Sequence, residues 1–83
     1  MSINVKARFS CPEATGDARN GEYRLPDNCT VKEFMELAAA ENGTFAENYM
    51  EFVLFVVNGK TAQPDTVLND SDTIRILGMV YGG

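Results

Sequence analysis

Few residues in this chain could do chemistry. It has 83 residues, no histidine and two cysteines, Cys11 and Cys29. Histidine is the commonest general base and metal ligand near neutral pH. Its absence removes the commonest candidate for either role. The cysteines could form at most one disulfide, and their spacing matches no metal motif. Cys11 falls in a turn-rich stretch with no histidine or basic cluster to stabilise a thiolate, so it reads as an inert thiol. Cys29 reads as a buried one. Asp70 and Asp72 could pair as carboxylates or hold a cation, but in Asn69-Asp70-Ser71-Asp72 turn hydrogen bonds account for them more simply. What remains is the last carboxylate.

That carboxylate belongs to Gly83, and Gly82 precedes it. With glycine at about 7% of residues, two terminal glycines arise in roughly 0.5% of chains by chance. An acyl group with no side chain on its own residue or its neighbour is the least hindered a protein can offer. It can thread a narrow channel and lie close to another backbone. The competing reading is a loose end where small residues collect. Met79, Val80 and Tyr81 come just before, and two readings stand beside each other. They continue the last strand and half pack on the domain, or they grip a partner groove, since Met and Tyr are enriched in interface cores.

Composition narrows the field. The net charge is −5, and the seven basic residues form no run along the sequence. Nucleic-acid affinity needs clustered Lys and Arg, so a phosphate-binding surface is disfavoured. The acidic positions Glu33, Glu36, Glu47 and Glu51 suit a solvated surface, and an acidic face could meet a basic partner. The first residues lack the apolar core of a secretory signal, and the longest apolar run is Phe52 to Val57. A cytoplasmic protein with no membrane span is expected.

The elements that must hold the tail follow from periodicity. Ile3, Val5, Ala7 and Phe9 alternate with Asn4, Lys6 and Arg8, which predicts a half-buried strand. Residues 10–21 are rich in turn formers and end in Asn20-Gly21, which predicts a long loop. A short strand over Glu22 to Leu25 stops at Pro26. Thr30 and Glu33 form a capping box. Val31, Phe34, Leu37 and Ala38, flanked by Met35, give the helix after it an apolar face, and Asn42-Gly43 a left-handed stop. Residues 44–51 stay open between a helical turn and a packed loop. Phe52 to Val57 predicts a strand buried on much of both faces. Asn58-Gly59 predicts a type I′ hairpin into Lys60 to Ala62. Leu68 should tuck inward, and Thr73 to Leu77 should be the last strand.

Two hairpins flanking one helix predict a mixed sheet of four to five strands with the helix on one face. The first and last strands pair in parallel at its centre. This is an α+β fold, the β-grasp or ubiquitin-like architecture, with residues 1–77 as the domain and 78–83 as a flexible tail hinged at Gly78. Phe55, taken to lie on the face away from the helix, is a candidate for partner docking.

Val57-Asn58-Gly59-Lys60, Asp65-Thr66, Leu68, Asp70, Asp72, Ile74 and the final Gly82-Gly83 together resemble the family of molybdopterin-synthase small subunits and thiamine sulfur carriers. The resemblance covers about a third of the chain by motif and all of it by element order. The family's Asp-Gly-Asp turn stands here as Asp70-Ser71-Asp72. Prolines common before the glycines in pterin-synthase members are replaced by Gly78-Met79-Val80-Tyr81. The resemblance implies a carrier, not an enzyme, with no bound cofactor. An E1-like adenylating enzyme would use ATP on Gly83, and a persulfide donor would leave a thiocarboxylate there for molybdopterin or thiamine thiazole synthesis. A larger synthase subunit would be a further partner.

Two other functions fit the same residues. One is a ubiquitin-like modifier forming isopeptide bonds through Gly83. The other is a β-grasp interaction module with an incidental tail. A plant-type ferredoxin variant is excluded, because its cluster needs four cysteines.

Overall fold

In the computed structural model, which describes residues 2–78, the alternation at the N-terminus becomes strand β1, Ser2–Phe9. Ile3, Val5 and Ala7 are buried, while Asn4, Lys6 and Arg8 are exposed. The turn-rich stretch after it is not all loop. Pro12–Thr15 forms a short helix, α1, with Pro at its first turn where no amide hydrogen is needed. Ala14 and Thr15 are fully buried there. The Thr15 hydroxyl donates to the Cys11 carbonyl at 3.1 Å, so this buried polar group is satisfied.

Strand β2, Gly21–Pro26, runs antiparallel to β1 and buries Tyr23 and Leu25. Helix α2, Val31–Asn42, starts with the expected reciprocal cap. The Glu33 amide donates to Thr30 Oγ1 at 3.1 Å, and the Thr30 amide donates to Glu33 Oε1 at 3.0 Å. Gly43 ends the helix at φ 68°. Its buried residues are Val31, Phe34, Met35 and Ala38, whereas Leu37 is 46% exposed. At about 100° per residue, Leu37 lies roughly 100° from the centre of that stripe and Met35 much nearer. The expected membership is corrected on this point.

Residues 44–51 resolve into a packed loop with a 3₁₀ turn at Tyr49–Glu51. Phe45 and Tyr49 join an aromatic cluster in which Phe9 stacks on Phe34 at 6.1 Å and Tyr23 meets Phe34 edge-on at 5.3 Å. These contacts seat α2 on the face of the sheet that carries Phe9 and Tyr23.

Strand β3, Val53–Val57, pairs antiparallel with β4, Lys60–Ala62, through Asn58 and Gly59. Both turn residues have positive φ, 52° and 82°, as a type I′ turn demands. Leu68 is buried. Strand β5, Thr73–Gly78, pairs in parallel with β1 and antiparallel with β3, giving the order β2-β1-β5-β3-β4. This is the β-grasp arrangement, with β5 in the middle of a five-stranded mixed sheet. Ile74 and Ile76 are completely buried. Each such side chain stabilises the fold by about 1.5–3 kcal/mol relative to leaving it in water. The strand that leads toward the chain end is therefore anchored at the core.

Candidate functional site

The site is the C-terminal end of β5 and the surface around it. Gly82 and Gly83, with Met79, Val80 and Tyr81, lie outside the described residues. Gly78, expected to be a hinge, is the last residue of β5 and pairs with Val53, the first residue of β3. Cys11 sits against it. A Cβ built on Gly78 would stand 3.1 Å from Cys11 Sγ, tighter than an ordinary contact, and 3.6 Å from Cys11 Cβ. Cys11 is thus no loop thiol but a core residue, 5% exposed. It caps α1 and fills the space that a side chain at position 78 would take.

The other end of β5 is fixed by the turn before it. Asp72 is buried and its carboxylate accepts from Asn58 Nδ2 at 2.8 Å and from the Asn69 amide at 2.8 Å. The Thr73 amide donates to Asn58 Oδ1 at 2.9 Å, so the Asn58 side chain ties the two turns together through both of its polar atoms. Asp70 Oδ1 accepts from the Asn4 amide at 2.8 Å, joining the same turn to β1. Ser71 between them has φ 71°, a left-handed conformation that disfavours a side chain. Asp72 is held by a turn hydrogen bond and by Asn58, whereas Asp70 is held by the bond that joins its turn to β1. Among the described residues no group of three or more potential ligands could hold a metal.

Two further thiol and phenol groups belong to the packing. Burial pushes the Cys29 thiol up, and the nearby Glu33 carboxylate adds to the effect. A thiol held protonated is a poor nucleophile. Burial likewise raises the Tyr23 hydroxyl, which donates to the Arg19 carbonyl at 2.6 Å and accepts from Asn42 Nδ2 at 3.1 Å.

Phe55 is not on the open face. It is 4% exposed and pairs with Ile76 and Ala62, whose side chains face the helix. Period-two alternation puts its neighbour Leu54 outside instead, at 37% exposure. The docking expectation for Phe55 is therefore corrected. Leu54 pairs with Leu77 across β3 and β5, and this apolar pair borders the end of β5.

The open face also collects basic residues that look scattered along the chain. Lys6, Arg8, Arg24 and Arg75 are all exposed on it, four of the seven basic residues. Arg8 and Arg75 are direct cross-strand partners in the parallel β1–β5 register. Alternation in β1 predicted the outward direction of Lys6 and Arg8. Their meeting with Arg75 depends on a register between the two ends of the chain, which no local pattern specifies. No helix of the described residues is long and apolar enough to cross a membrane.

The ThiS family model matches residues 13–83. Among solved structures, a Haloferax volcanii protein known from its solution structure superposes with a TM-score of 0.78 at 23% identity, covering 99% of this chain and 88% of that one. The crystal structure of small archaeal modifier protein 1 from Haloferax volcanii gives 0.71 at 12% identity, covering 94% and 99%. A chain in the complex of subunits 1 and 2 of the molybdopterin-converting factor from Helicobacter pylori gives 0.60 at 22% identity, covering 98% and 100%. These are likenesses of fold. No curated protein matches the sequence.

Proposed function

The chain belongs to the ThiS family, and from that premise we propose that it is a protein sulfur carrier, loaded at the Gly83 carboxylate and not itself an enzyme. The observation that carries this reading is the extent of the family match, which runs from residue 13 through Gly82 and Gly83. The fold supports it. β5 is pinned between β1 and β3, and Gly78 lies five residues before the terminal carboxylate.

The chemistry is supplied by partners. A carboxylate is a poor electrophile until it has a leaving group. An oxygen of Gly83 attacks the α-phosphorus of ATP in an E1-like adenylating enzyme, releasing pyrophosphate and forming an acyl-adenylate. The terminal sulfur of a persulfide donor then attacks the Gly83 carbonyl carbon and expels AMP. A thiol cleaves the resulting sulfur–sulfur bond, leaving a thiocarboxylate on the carrier and a disulfide on the donor side. The carrier contributes a slim, unbranched end and a rigid body behind it. The final sulfur acceptor is a cofactor precursor, of the molybdopterin or thiamine-thiazole class. By analogy with the two-subunit Helicobacter complex, a larger synthase subunit receives the loaded tail.

The test is ATP–pyrophosphate exchange by an E1-like partner. Exchange that depends on the chain and disappears for Gly83→Ala or for a chain lacking Gly82-Gly83 supports the reading. Normal exchange with those variants refutes it. The likeness to an archaeal modifier favours a second reading, conjugation to lysine through the same acyl-adenylate. Lysine-linked conjugates in cells that vanish on deletion of Gly83 would select it.

A further inference from the structure

We propose that the cavity lined by Asn4, Lys6, Glu22, Ser71 and Thr73 binds a small zwitterion of the α-amino acid class, its carboxylate held by Lys6 and its ammonium by Glu22. The site lies at the opposite end of β5 from Gly78 and needs nothing from the tail.

Three strands place the lining. Lys6 on β1 stands between Glu22 on β2 and Thr73 on β5, its direct cross-strand partners on either side. Asn4 lies two residues back on the same face of β1. Its carbonyl accepts from the Ser71 amide at 2.8 Å, which holds the turn before β5 beside the cavity. The cavity measures about 180 Å³. Drug-sized pockets run to about 300–1,000 Å³ and are mostly apolar, so this one suits a polar ligand of few heavy atoms.

Two features favour a ligand that carries both charges. Lys6 and Glu22 are opposite in sign and directly opposed, yet the one salt bridge among the described residues joins Arg19 to Glu41. A lone anion bound by Lys6 would meet the Glu22 carboxylate, and a lone cation bound by Glu22 would meet the Lys6 ammonium. A zwitterion satisfies both. The Ser71 and Thr73 hydroxyls and the Asn4 carboxamide can serve either end, since each donates and accepts. The second feature is the backbone of Ser71. Among the described residues three that are not glycine have positive φ, namely Asn28, Asn58 and Ser71. Asparagine tolerates that conformation through local hydrogen bonds, whereas serine has no such preference. A side chain kept at φ 71° against its preference marks a functional position, and here it places a hydroxyl-bearing residue at the cavity.

The experiment follows the backbone amide shifts of the isotope-labelled full chain, near neutral pH, on titration with glycine, N-acetylglycine, glycinamide and inorganic phosphate. Glycine should give saturable shifts at Lys6, Glu22, Ser71 and Thr73, with the millimolar affinity that suits so small a ligand. N-acetylglycine lacks the ammonium and glycinamide lacks the carboxylate. Each should bind about tenfold more weakly or worse, the loss of one charge-assisted contact. Lys6→Gln and Glu22→Gln should each weaken glycine binding by a similar factor. Ser71→Gly should hold or raise the unfolding temperature while weakening glycine binding, a split that a purely structural serine would not show. A chain lacking Gly82-Gly83 should bind glycine unaltered, so loss of the carrier reading leaves this site standing. No saturable shift with glycine, alanine or serine overturns the proposal. So does phosphate or N-acetylglycine binding as tightly as glycine, or a Glu22→Gln variant that binds glycine as well as the unaltered chain.

Discussion

At the scale of single residues, the end of β5 is set by a fit between Cys11 and Gly78. The two are 67 positions apart, and only the parallel pairing of β1 with β5 brings them together. A methyl group at position 78 would press on the sulfur. Gly78→Ala should therefore cost about 1–3 kcal/mol in chemical denaturation. Cys11→Ala should restore part of that loss in the double variant, although alone it leaves a small cavity and destabilises. Strictly additive effects would mean that the contact does not determine the residue. The local sequence concealed this fit. Cys11 follows a polar residue and precedes a proline, which marks a turn but carries no sign of burial. The same limit applies to Phe55. A continuous apolar run does not show which residues face inward, because alternation is visible only when the outward positions are polar.

At the scale of elements, the legible parts were those with local chemistry. The capping box of α2 depends on residues three apart, and the Asn58-Gly59 turn on two neighbours with left-handed conformations. Both follow from side-chain type and spacing alone. Thr30→Ala removes the acceptor for the Glu33 amide and should destabilise the protein by about 1 kcal/mol, measured by urea unfolding. Thr30→Ser should preserve most of the stability. An equal loss for both would point to the methyl group instead of the hydroxyl. Helix α1 was not legible because it is too short for periodicity. Its four residues are held by the burial of Ala14 and Thr15, and the Ala14 carbonyl accepts from the Ala46 amide at 2.7 Å. The partner for that bond comes from the packed loop after α2, so tertiary contact decides the conformation.

At the scale of the molecule, a core face and an open face divide the work. The core face joins α2, the aromatic cluster and the inward residues of all five strands. Tyr23, which is buried, and Tyr49, which is half-buried, set an alkaline limit. Burial raises the Tyr23 and Tyr49 hydroxyls, so the folded protein keeps those protons to higher pH than the unfolded chain does. Their contribution to stability is complete below the unfolded value, about 10, and is lost as pH rises through the folded value. Thermal melts above that pH should fall, and Tyr23→Phe should lessen the slope even though its baseline is lower. A slope unchanged by Tyr23→Phe and Tyr49→Phe together would assign the loss to other groups. The order of the strands around α2 and the β-grasp arrangement are legible in the sequence, since their strand and helix signals come from neighbours in the chain. The basic open face was not, because it arises from register.

One covalent event at Gly83 defines the proposed carrier. The most direct measurement is the intact mass of the chain after incubation with ATP, an E1-like adenylating enzyme and a persulfide donor, followed by a reducing thiol. The predicted result is exchange of one oxygen for one sulfur, located at Gly83 and absent from Gly83→Ala, while that variant unfolds at an unchanged temperature. A mass that stays unaltered with a partner set shown to load another carrier of the same family would contradict it.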